Sequence, residues 1–463
     1  MMRYTLIVFA LTTWQTAQGQ ISFKKVFGDA VNGEYGQAVV QADDSGYYVA
    51  GARVVIGSQI TGEGQLLRTD KYGNEIWTMY YNTVGSDDLS FDNIIKTSDG
   101  NLLMVGTAVY DGTDYNVYVA KADTAGTVLW YRNYEALYRQ RGLQVKETTD
   151  GGFVIGGWNE MFGTAISNFY MMRTNATGDT LWTRNYPNGM QQYGNAIDQT
   201  TDGGFAIVGS IQQPTLLGST MYIIKTDANG DTLWTRKLDT LNFGKAYDVK
   251  AIANNHIIVA GYTTINGCSQ PVLLEMDGSG NMLWREIYTD GPCGWAYSVG
   301  KTDDGGYAVF GMDATSDLYL VKTDGSGMQE WYRKFHESNT DFGYAASQTS
   351  DGGYIMTGIT TNTNVGDLIL IKVDGNGDLL NVPEAIKQSS LKIFPNPSKN
   401  IVYIEHKNGK RINQILVQDV TGKVVYQYAG TADHIDISSL SRGMYLLKIT
   451  TEDEVLGSKL IVE

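Results

Sequence analysis

The sequence predicts an all-β protein in which a seven-bladed β-propeller, closed by the N-terminal strand, precedes a small Ig-like β-sandwich. Short apolar runs between Gly and Asp turn signals recur with a period of about fifty residues, which is typical of propeller blades. The glycine that ends the first apolar run has seven copies, at Gly51, Gly106, Gly156, Gly209, Gly261, Gly311 and Gly358. An Asp/Asn-x-x-Gly turn signal also has seven copies, beginning at Asp70, Asp123, Asn175, Asp227, Asp277, Asp324 and Asp374. Each unit has room for four strands.

The fourth repeat shows the unit most clearly. Strand a is predicted over 196–200, strand b over 205–210, strand c over 221–226 and strand d over 231–238. Between strands a and b, Asp202-Gly203-Gly204 is a hairpin signal, because Asp bonds its own downstream backbone and Gly accepts a positive φ. Propeller topology places the b–c and d–a loops on one face. The b–c loops over 53–64, 158–168 and 211–219 differ in sequence, which favours binding at that face.

The two ends of the repeat region predict how the ring closes. Six units end with Trp in strand d, but the seventh stops near Leu380 without one. The segment after residue 20 supplies Phe23 and Phe27 at the aromatic spacing of the other strands d, with Lys25 where most copies have Arg. We therefore predict that this first strand completes the last blade, which removes two open sheet edges. The predicted propeller spans 20–382.

Residues 1–19 have the features of a secretory signal peptide. Arg3 provides a positive start, a short apolar run follows, and Ala17-Gln18-Gly19 offers small residues at a cleavage site. No later stretch is long and apolar enough for a transmembrane segment. The formal net charge of −15 argues against nucleic acid as a partner, because phosphate backbones would be repelled. We expect an exported protein.

The sequence offers little for a metal or a cofactor. The only two cysteines, Cys268 and Cys293, lie in loops of the same predicted face, and the exported route is oxidising, so we expect a disulfide. Asp227 to Asp231 resembles the start of a calcium loop, but no Glu follows to complete it, and a plain β-turn explains every copy. The D-x-x-G-x-x-x-W pattern is similar to the Trp-docking repeat of quinoprotein dehydrogenases. It lacks that family's spacing and any vicinal cysteine pair, so we expect no cofactor and no metal.

Candidate binding residues come from aligning strand a on its turn. One position, at the mouth of the predicted channel, is mostly aromatic, and such side chains can stack on sugars or on protein side chains. Packing between blades is the alternative explanation. The residues at this position are Tyr35, Ser90, Arg141, Tyr193, Phe243, Trp295 and Phe342.

These features favour a binding or adhesion module for a glycan or a protein, acting through the variable b–c/d–a face. The alternative is a secreted carbohydrate-active enzyme, hydrolase or lyase, with a pair of loop carboxylates near the channel mouth. No local pattern selects a pair, and no nucleophile motif is present, so no catalytic residue is assigned. The loop acids on that face are Asp87, Asp88, Glu135, Glu160, Asp239, Asp290, Asp313, Asp317 and Asp341.

The pattern changes after Val382. A linker is predicted over 383–390, and seven short β-runs fill 391–463, which suggests a small sandwich. Three motifs in this region, Phe394-Pro395-Asn396-Pro397, the run from Asp419 to Lys423, and the run from Ile435 to Tyr445, resemble the type A sorting domain of type IX secretion substrates. The residues carrying this resemblance are Pro395, Asn396, Pro397, Asp419, Gly422, Gly443, Tyr445 and Lys459.

The resemblance implies a route and a partner. It implies Sec export to the periplasm of a Bacteroidetes-type bacterium, then passage through the outer membrane by the type IX machinery, to the cell surface or the medium. The repeat region is similar to the DGG/DxxGxxxW propellers often joined to this sorting domain, and that likeness implies a fold without an activity. An ordinary Ig-like accessory domain is the alternative for the C-terminal region.

Overall fold

A computed structural model describes residues 21–29, 31–56, 60–136, 138–161, 166–212, 218–238, 243–291, 293–336, 341–361, 366–379, 391–406, 411–419, 424–430, 433–451 and 455–462. The predictions for 1–19, 383–390, Asp239, Gly422 and the centre of the loop over 211–219 lie outside these residues. The chain divides into a unit over Ile21–Leu379 and a second compact unit that contains Leu380–Glu463.

The first unit is built from short strands, as the turn spacing predicts. A single 3-10 turn over Ala253–Asn255 interrupts the described strands of the fifth repeat. The strands are β1 (Phe23–Phe27), β2 (Gly33–Gln41), β3 (Tyr47–Ile56), β4 (Ile60–Thr69), β5 (Glu75–Tyr81), β6 (Asp88–Lys96), β7 (Leu102–Tyr110), β8 (Asp114–Ala122), β9 (Val128–Tyr134), β10 (Tyr138–Glu147), β11 (Phe153–Met161), β12 (Ser167–Thr174), β13 (Thr180–Tyr186), β14 (Gln192–Gln199), β15 (Phe205–Gln212), β16 (Ser219–Thr226), β17 (Thr232–Lys237), β18 (Gly244–Ala251), β19 (Ile257–Ile265), β20 (Cys268–Met276), β21 (Met282–Ile287), β22 (Gly294–Lys301), β23 (Tyr307–Asp313), β24 (Leu318–Thr323), β25 (Gln329–Phe335), β26 (Asp341–Gln348), β27 (Tyr354–Thr360) and β28 (Asp367–Val373).

Consecutive strands pair antiparallel into propeller-like sheets of four. Strands β10–β13, β14–β17, β18–β21 and β22–β25 each form one sheet. Strands β2 to β9 form an eight-stranded sheet, but its two halves, β2–β5 and β6–β9, meet at a single parallel pair, Gly62 with Asp88. Each four-stranded sheet, and each half of the eight-stranded sheet, therefore corresponds to one repeat of the sequence.

The N-terminal strand completes the last sheet, whose order is β1-β28-β27-β26. Phe23 stands opposite Lys372, just as Trp331 stands opposite Lys322 in the preceding sheet. A Cβ added at Gly73 would meet the ring of Phe23 at 2.5 Å, the place that Trp77 takes beside Gly126. The predicted closure, and the replacement of Trp by Phe23, are confirmed.

Buried side chains fill the space between successive sheets. Phe169, Ile197 and Phe205 pack together between the third and fourth repeats. The series returns to its start, because Val49 of β3 packs with Ile355 and Leu368 of the last sheet. Each fully buried aliphatic or aromatic side chain contributes about 1.5–3 kcal/mol, so these clusters hold neighbouring sheets together.

Strand d also reaches across to the next sheet. The tyrosine four residues after Trp donates its hydroxyl hydrogen to the carbonyl of the turn glycine in the following repeat, as Tyr186 does to Gly230 at 2.8 Å. The arginine between them lies over the Trp ring, with Arg184 5.3 Å from the centroid of Trp182. Tyr81, Tyr134 and Tyr288 make the same hydroxyl bond.

The aspartate of the a–b turn has a second role, which the sequence alone does not reveal. Asp202 accepts from the ammonium of Lys225, a strand-c side chain that is 1% exposed. A buried ammonium needs such a partner, because its desolvation is costly. In the fifth repeat the acidic and basic positions are exchanged. Glu275, in strand c, is bonded to His256 at 2.6 Å.

The second unit contains the seven strands expected in its sequence. A three-stranded sheet has the order β29-β30-β33 and a four-stranded sheet the order β32-β31-β34-β35. Val402, Ile415, Ile435 and Leu447 belong to the one core that both sheets share. The strands are β29 (Leu391–Phe394), β30 (Ile401–His406), β31 (Gln414–Gln418), β32 (Val424–Ala429), β33 (His434–Asp436), β34 (Gly443–Thr450) and β35 (Val455–Val462).

Candidate ligand-binding site

The first strand of every repeat in the larger unit carries a β-bulge at the same place. We call β2, β6, β10, β14, β18, β22 and β26 the inner strands. In each, one residue has no partner on the second strand, as in β2, where Gly36 pairs with Gly51 and Ala38 with Ala50. A bulge bends its strand and re-aims the extra side chain. The bulge residues are Gln37, Asp92, Leu143, Asn195, Tyr247, Tyr297 and Tyr344.

The periodic glycine of the sequence is a consequence of this bulge. A Cβ at Gly51 would overlap the carbonyl oxygen of Tyr35, because the bulge pushes that carbonyl against the second strand. The same overlap recurs in the other sheets. In the third repeat the glycine concerned is Gly157, which opposes Gly142, so the assignment of Gly156 to this position is wrong by one residue.

All the bulge residues line one cavity of about 380 Å³. This volume falls within the range of small-ligand sites. Side chains further along the inner strands, such as Lys146 and Lys250, line the same space toward the a–b turns. We call this cavity the lumen.

One side of the lumen is aromatic. Tyr247, Tyr297 and Tyr344 come from three consecutive inner strands, and the ring centroids of Tyr247 and Tyr297 are 4.7 Å apart. Tyr262, behind them, stacks on Tyr247 at 6.1 Å. Burial raises the pKa of Tyr297 to about 12, so its hydroxyl remains a neutral hydrogen-bond donor.

The other side carries Asp92. This carboxyl is half-buried, and burial raises its pKa to about 7, an effect that the nearby charge of Arg141 opposes. Arg141 lies over the rings of Tyr115 and Trp158, at 5.0 and 5.6 Å from their centroids. Its Nε finds no hydrogen-bond acceptor among the described residues. Asp92 and Arg141 thus influence each other without forming an ion pair.

The lumen is polar toward the a–b turns. Asp248 accepts from Lys250 at 2.8 Å and from the backbone of Val299 at 3.0 Å. Burial alone would raise the pKa of Asp248, but the charges of Lys250 and Lys146 hold it below its usual value. Burial lowers the pKa of Lys146, and Lys250 lowers it further. Lys146 is 3.9 Å from Asp198.

The predicted mouth residues surround the lumen without lining it. Tyr193 meets Trp158 edge to face at 5.5 Å, and Trp295 meets Tyr262 in the same way at 6.4 Å. Tyr35 lies close enough to Asp92 that the carboxylate, after burial, raises its pKa to about 12. Phe342 pairs with Ile359 two residues before the bulge residue Tyr344.

Phe243 does not occupy the same register position as the other predicted mouth residues. It precedes β18, and the residue that opposes strand b at the shared position is Lys245, paired with Tyr262. The fifth a–b turn is the 3-10 turn over Ala253–Asn255 and carries no Asp-Gly-Gly, so alignment on that motif fails there.

The sequence did not reveal the bulge residues as lining residues, because the pairing register cannot be read directly from one strand. A usable signal was present, since a small residue precedes six of the seven bulge residues, as Gly36 and Ala296 do. Small residues in a strand interior mark bulges and close approaches of the backbone.

Several loop acids of the enzyme hypothesis are engaged in the fold. Asp313 and Asp317 share the ammonium of Lys334, at 2.9 and 2.5 Å, and their side chains are 1% and 6% exposed. Burial would raise the pKa of Asp317, but hydrogen bonds from Lys334 and His336 lower it. Asp290 accepts from Gln329 at 3.0 Å, and Asp87 accepts from the backbone of Gly112 at 2.8 Å.

Cys268 and Cys293 form a disulfide whose Cα atoms are 5.4 Å apart. Cys268 opens β20, and Cys293 precedes β22. The bond ties the b–c loop of the fifth repeat to the d–a loop that follows.

The Asp-x-x-Gly turns use their carboxylates internally. Asp227 accepts from the backbone of Asp231 and of Asn229, at 2.9 and 2.8 Å, and these bonds lower its pKa. Within the described ranges, no group of three His, Cys, Asp or Glu side chains is arranged to hold a metal ion.

The motif residues of the second unit hold its two ends together. The side-chain amide of Asn396 donates to the carbonyl of Lys459 at 2.6 Å, and its oxygen accepts from the backbone of Ile461 at 2.9 Å. The bonds before Pro395 and Pro397 are cis. Tyr445 donates to the carbonyl of Ser441 at 2.7 Å. A Cβ added at Gly443 would meet nothing nearer than 3.8 Å, so the fold does not require glycine there.

The C-terminal unit matches a known family. Residues 392–463 match the family described as "Secretion system C-terminal sorting domain". The chain therefore carries a type IX secretion sorting domain and is exported by that route to the cell surface or the medium. Within the part of the chain that the structure describes, no helix is long and apolar enough to cross a membrane. A search of curated proteins finds no match.

Solved structures resemble the chain in fold. The lectin BP39L of Burkholderia pseudomallei aligns with 10% identity and a TM-score of 0.50, covering 74% of this chain and 98% of that one. The extracellular domain of the putative one component system BT4673 of B. thetaiotaomicron aligns with 12% identity and a TM-score of 0.45, over 94% of this chain. This chain spans 57% of that protein's length.

PorZ, a surface component of the type-IX secretion system of Porphyromonas gingivalis, aligns with 10% identity and a TM-score of 0.33, over 91% of this chain and 69% of that chain. At such identities the likeness concerns fold alone.

Proposed function

We propose that this chain is an extracellular or cell-surface binding module for a glycan or a protein. Its working part is a seven-bladed β-propeller over 20–382, whose ligand enters from the b–c/d–a face. A signal peptide over 1–19 directs Sec export, a linker over 383–390 follows the propeller, and the sorting domain over 391–463 is an Ig-like sandwich that the secretion machinery recognises.

The observation that carries this proposal is the lumen. Every inner strand contributes a side chain to it at the same bulge, and three consecutive strands contribute tyrosines. A rigid scaffold that presents aromatic and polar groups around one cavity is a common form of binding site. The mouth residues, packed on strand-b side chains such as Trp158 and Tyr262, surround it.

The engagement of Asp313 and Asp317 in the fold supports binding over catalysis. A glycoside hydrolase needs two carboxyl groups a few ångströms apart that substrate can reach. Asp313 and Asp317 are close, but both are almost fully buried and share the ammonium of Lys334. The enzyme alternative would have to rely on other acids of this face.

An array of glycans and purified extracellular proteins, probed with the secreted full-length chain, tests the proposal. We expect a ligand whose binding falls at least tenfold in Tyr297→Ala and in Tyr344→Ala. Tyr72→Ala is the matched control, because Tyr72 is 52% exposed in a c–d turn away from the lumen.

The same samples are incubated with polysaccharides and assayed for new reducing ends. Release of product would favour the enzyme alternative. Binding that is unchanged in both lumen variants would place the ligand elsewhere and would overturn the proposed site.

A further inference from the structure

Asp92 differs from the other carboxylate that lines the lumen. Asp248 is satisfied by several donors, among them Lys250, Gln144 and the backbone of Val299. Asp92 receives no hydrogen bond or ion pair from any described residue, although it lies in the same cavity. A half-buried carboxylate without a partner is costly to keep, and such groups cluster at functional sites.

The side of the lumen facing Asp92 suits a positive charge. Around the closed series of sheets, the strand of Asp92 is the second, and those of Tyr247, Tyr297 and Tyr344 are the fifth, sixth and seventh. Tyrosine faces attract cations through the ring quadrupole, most strongly where water is excluded. The rings of Tyr247 and Tyr297 are inclined by 53°, so they form a corner instead of a parallel stack.

We propose that Asp92 and the three lumen tyrosines form a receptor for an organic cation, the ammonium or guanidinium head of a lysine or arginine side chain presented by a partner protein. This inference rests on the proposed binding function and names the chemistry of its ligand. The carboxylate neutralises the charge, and the rings enclose the alkyl stem.

Depth and charge favour a basic side chain over an amino sugar. The bulge residues lie two positions inside the mouth residues, about 7 Å along the strand at ordinary strand rise. A long unbranched side chain reaches that depth more readily than a pyranose ring. The net charge of −15 also attracts basic partners at long range.

The basic groups of the lumen do not occupy this place. Lys146 is three positions further along its strand than the bulge, about 10 Å toward the a–b turns. Lys250 is paired with Asp248. Arg141 does not line the lumen and is held over Tyr115 and Trp158.

Calorimetric titration of the full-length protein with n-butylammonium chloride tests the cation site. We expect saturable binding that n-butanol and butyrate do not reproduce, and a loss of at least tenfold in Asp92→Asn. Tyr297→Leu should weaken binding several-fold. Asp290→Asn is the control, because it removes the same charge from an exposed loop. Equal binding of n-butanol, or full binding by Asp92→Asn, would overturn the cation site.

The pH dependence provides a second readout. Tyr35 from β2 and Arg141 from β10 interact electrostatically with Asp92, and the three lumen tyrosines and Lys146 line the same cavity. With the pKa of Asp92 at about 7, its carboxylate is lost as pH falls through that value. Affinity for n-butylammonium should therefore fall between pH 8 and pH 6, and Asp92→Asn should abolish that dependence. A flat wild-type profile would count against Asp92.

The source of the cation is tested with a one-lysine peptide and with D-glucosamine. The peptide should bind at least tenfold more tightly, and the reverse order would overturn the side-chain assignment. If an array ligand binds the wild type and Asp92→Asn but not Tyr297→Ala, the proposed binding function stands and the proposal that the ligand is a cation is refuted. Cation binding that depends on Asp92, in a protein with no array ligand, would refute the macromolecular function instead.

Discussion

At the scale of single residues, a side chain suited to binding a ligand in the lumen can reduce the stability of the fold. Asp92 sits where its charge is poorly solvated and unpaired, whereas Asp248, in the same lumen, is bonded on all sides. Residues kept for binding commonly cost the folded state some stability. The difference between these two aspartates separates a group available to a ligand from a group used by the fold.

Replacing Asp92 by Asn should stabilise the protein in a pH-dependent way. The pKa of Asp92 in the folded protein, about 7, lies above its ordinary value of 3.8, so ionisation destabilises the fold as pH rises between these values. Asn does not ionise. The gain in unfolding free energy should be near zero at pH 4 and reach about 2 kcal/mol at pH 8. A difference of one pKa unit corresponds to about 1.4 kcal/mol, and screening by water in the lumen reduces the total below that of the full difference.

Urea unfolding at both pH values measures this gain, and Asp290→Asn serves as the charge-matched control. An equal gain at pH 4 and pH 8 would contradict the buried-charge explanation.

Sequence reasoning reached the neighbourhood of the site but missed the residues that line it. Apart from Phe243, the predicted column occupies one register position, but Tyr35 and Trp295 pack around the lumen and do not line it. Which side chain enters the lumen depends on a bulge, and a bulge is a property of two paired strands. The spacing on one strand therefore could not reveal Tyr297 or Asp92 as lining residues.

At the scale of elements, the turns serve as contacts between sheets. The glycine of each Asp/Asn-x-x-Gly turn has a positive φ, and it lies under the Trp of the preceding sheet or, at Gly73, under Phe23. Gly230, with φ of 80°, would place a Cβ 2.8 Å from Trp182. Gly203, in the a–b turn, has φ of 81° and nothing within 4 Å. The two glycines share a backbone conformation and differ in what surrounds them.

This pair allows backbone strain to be separated from packing. Gly203→Ala should cost roughly 1 kcal/mol, the strain of a left-handed residue. Gly230→Ala should cost about 1–3 kcal/mol more, because the added methyl displaces Trp182. Chemical unfolding of the two variants measures the difference. Equal costs would show that Trp182 yields without loss and that the turn is not a packing contact.

Turn types and strand order could be predicted from the sequence, because Asp, Asn and Gly at fixed offsets have few other uses. The buried lysines that these turns neutralise could not be predicted. Lys225 and Lys372 follow apolar runs in positions that usually face solvent, and only the sheet packing shows that they are enclosed. Their burial also explains why the turn carries Asp, a point that hairpin propensity alone does not decide.

At the scale of the whole molecule, the ring depends on one short strand. Strand β1 has five residues, and its partner β28 lies at the far end of the larger unit. Phe23 fills the place of the missing Trp, and Lys25 donates to Asn74 at 3.4 Å, much as Arg333 bonds Asp378 across the preceding junction. The closure was predictable because the aromatic spacing repeats at both ends of the region.

Deleting residues 20–28 should lower the thermal midpoint of the larger unit sharply, because it exposes the edge of β28 and removes Phe23 and Phe27 from the last junction. Phe23→Ala should cost about 2 kcal/mol, and Phe23→Trp should restore or raise the midpoint by matching the other junctions. Differential scanning calorimetry measures all three. A midpoint unchanged by the deletion would refute the closure.

The pairing of β1 with β28 also imposes an order on folding. A ribosome makes β1 before any other strand of the ring and β28 after every other one, so this contact has the greatest loop to close and must form late. Until then the first strand has no sheet to join. A chain interrupted anywhere before Val373 can stack its early repeats but can never close, and it also lacks the sorting domain that follows. Completion of the ring and possession of the export signal are thus coupled by the order of the chain.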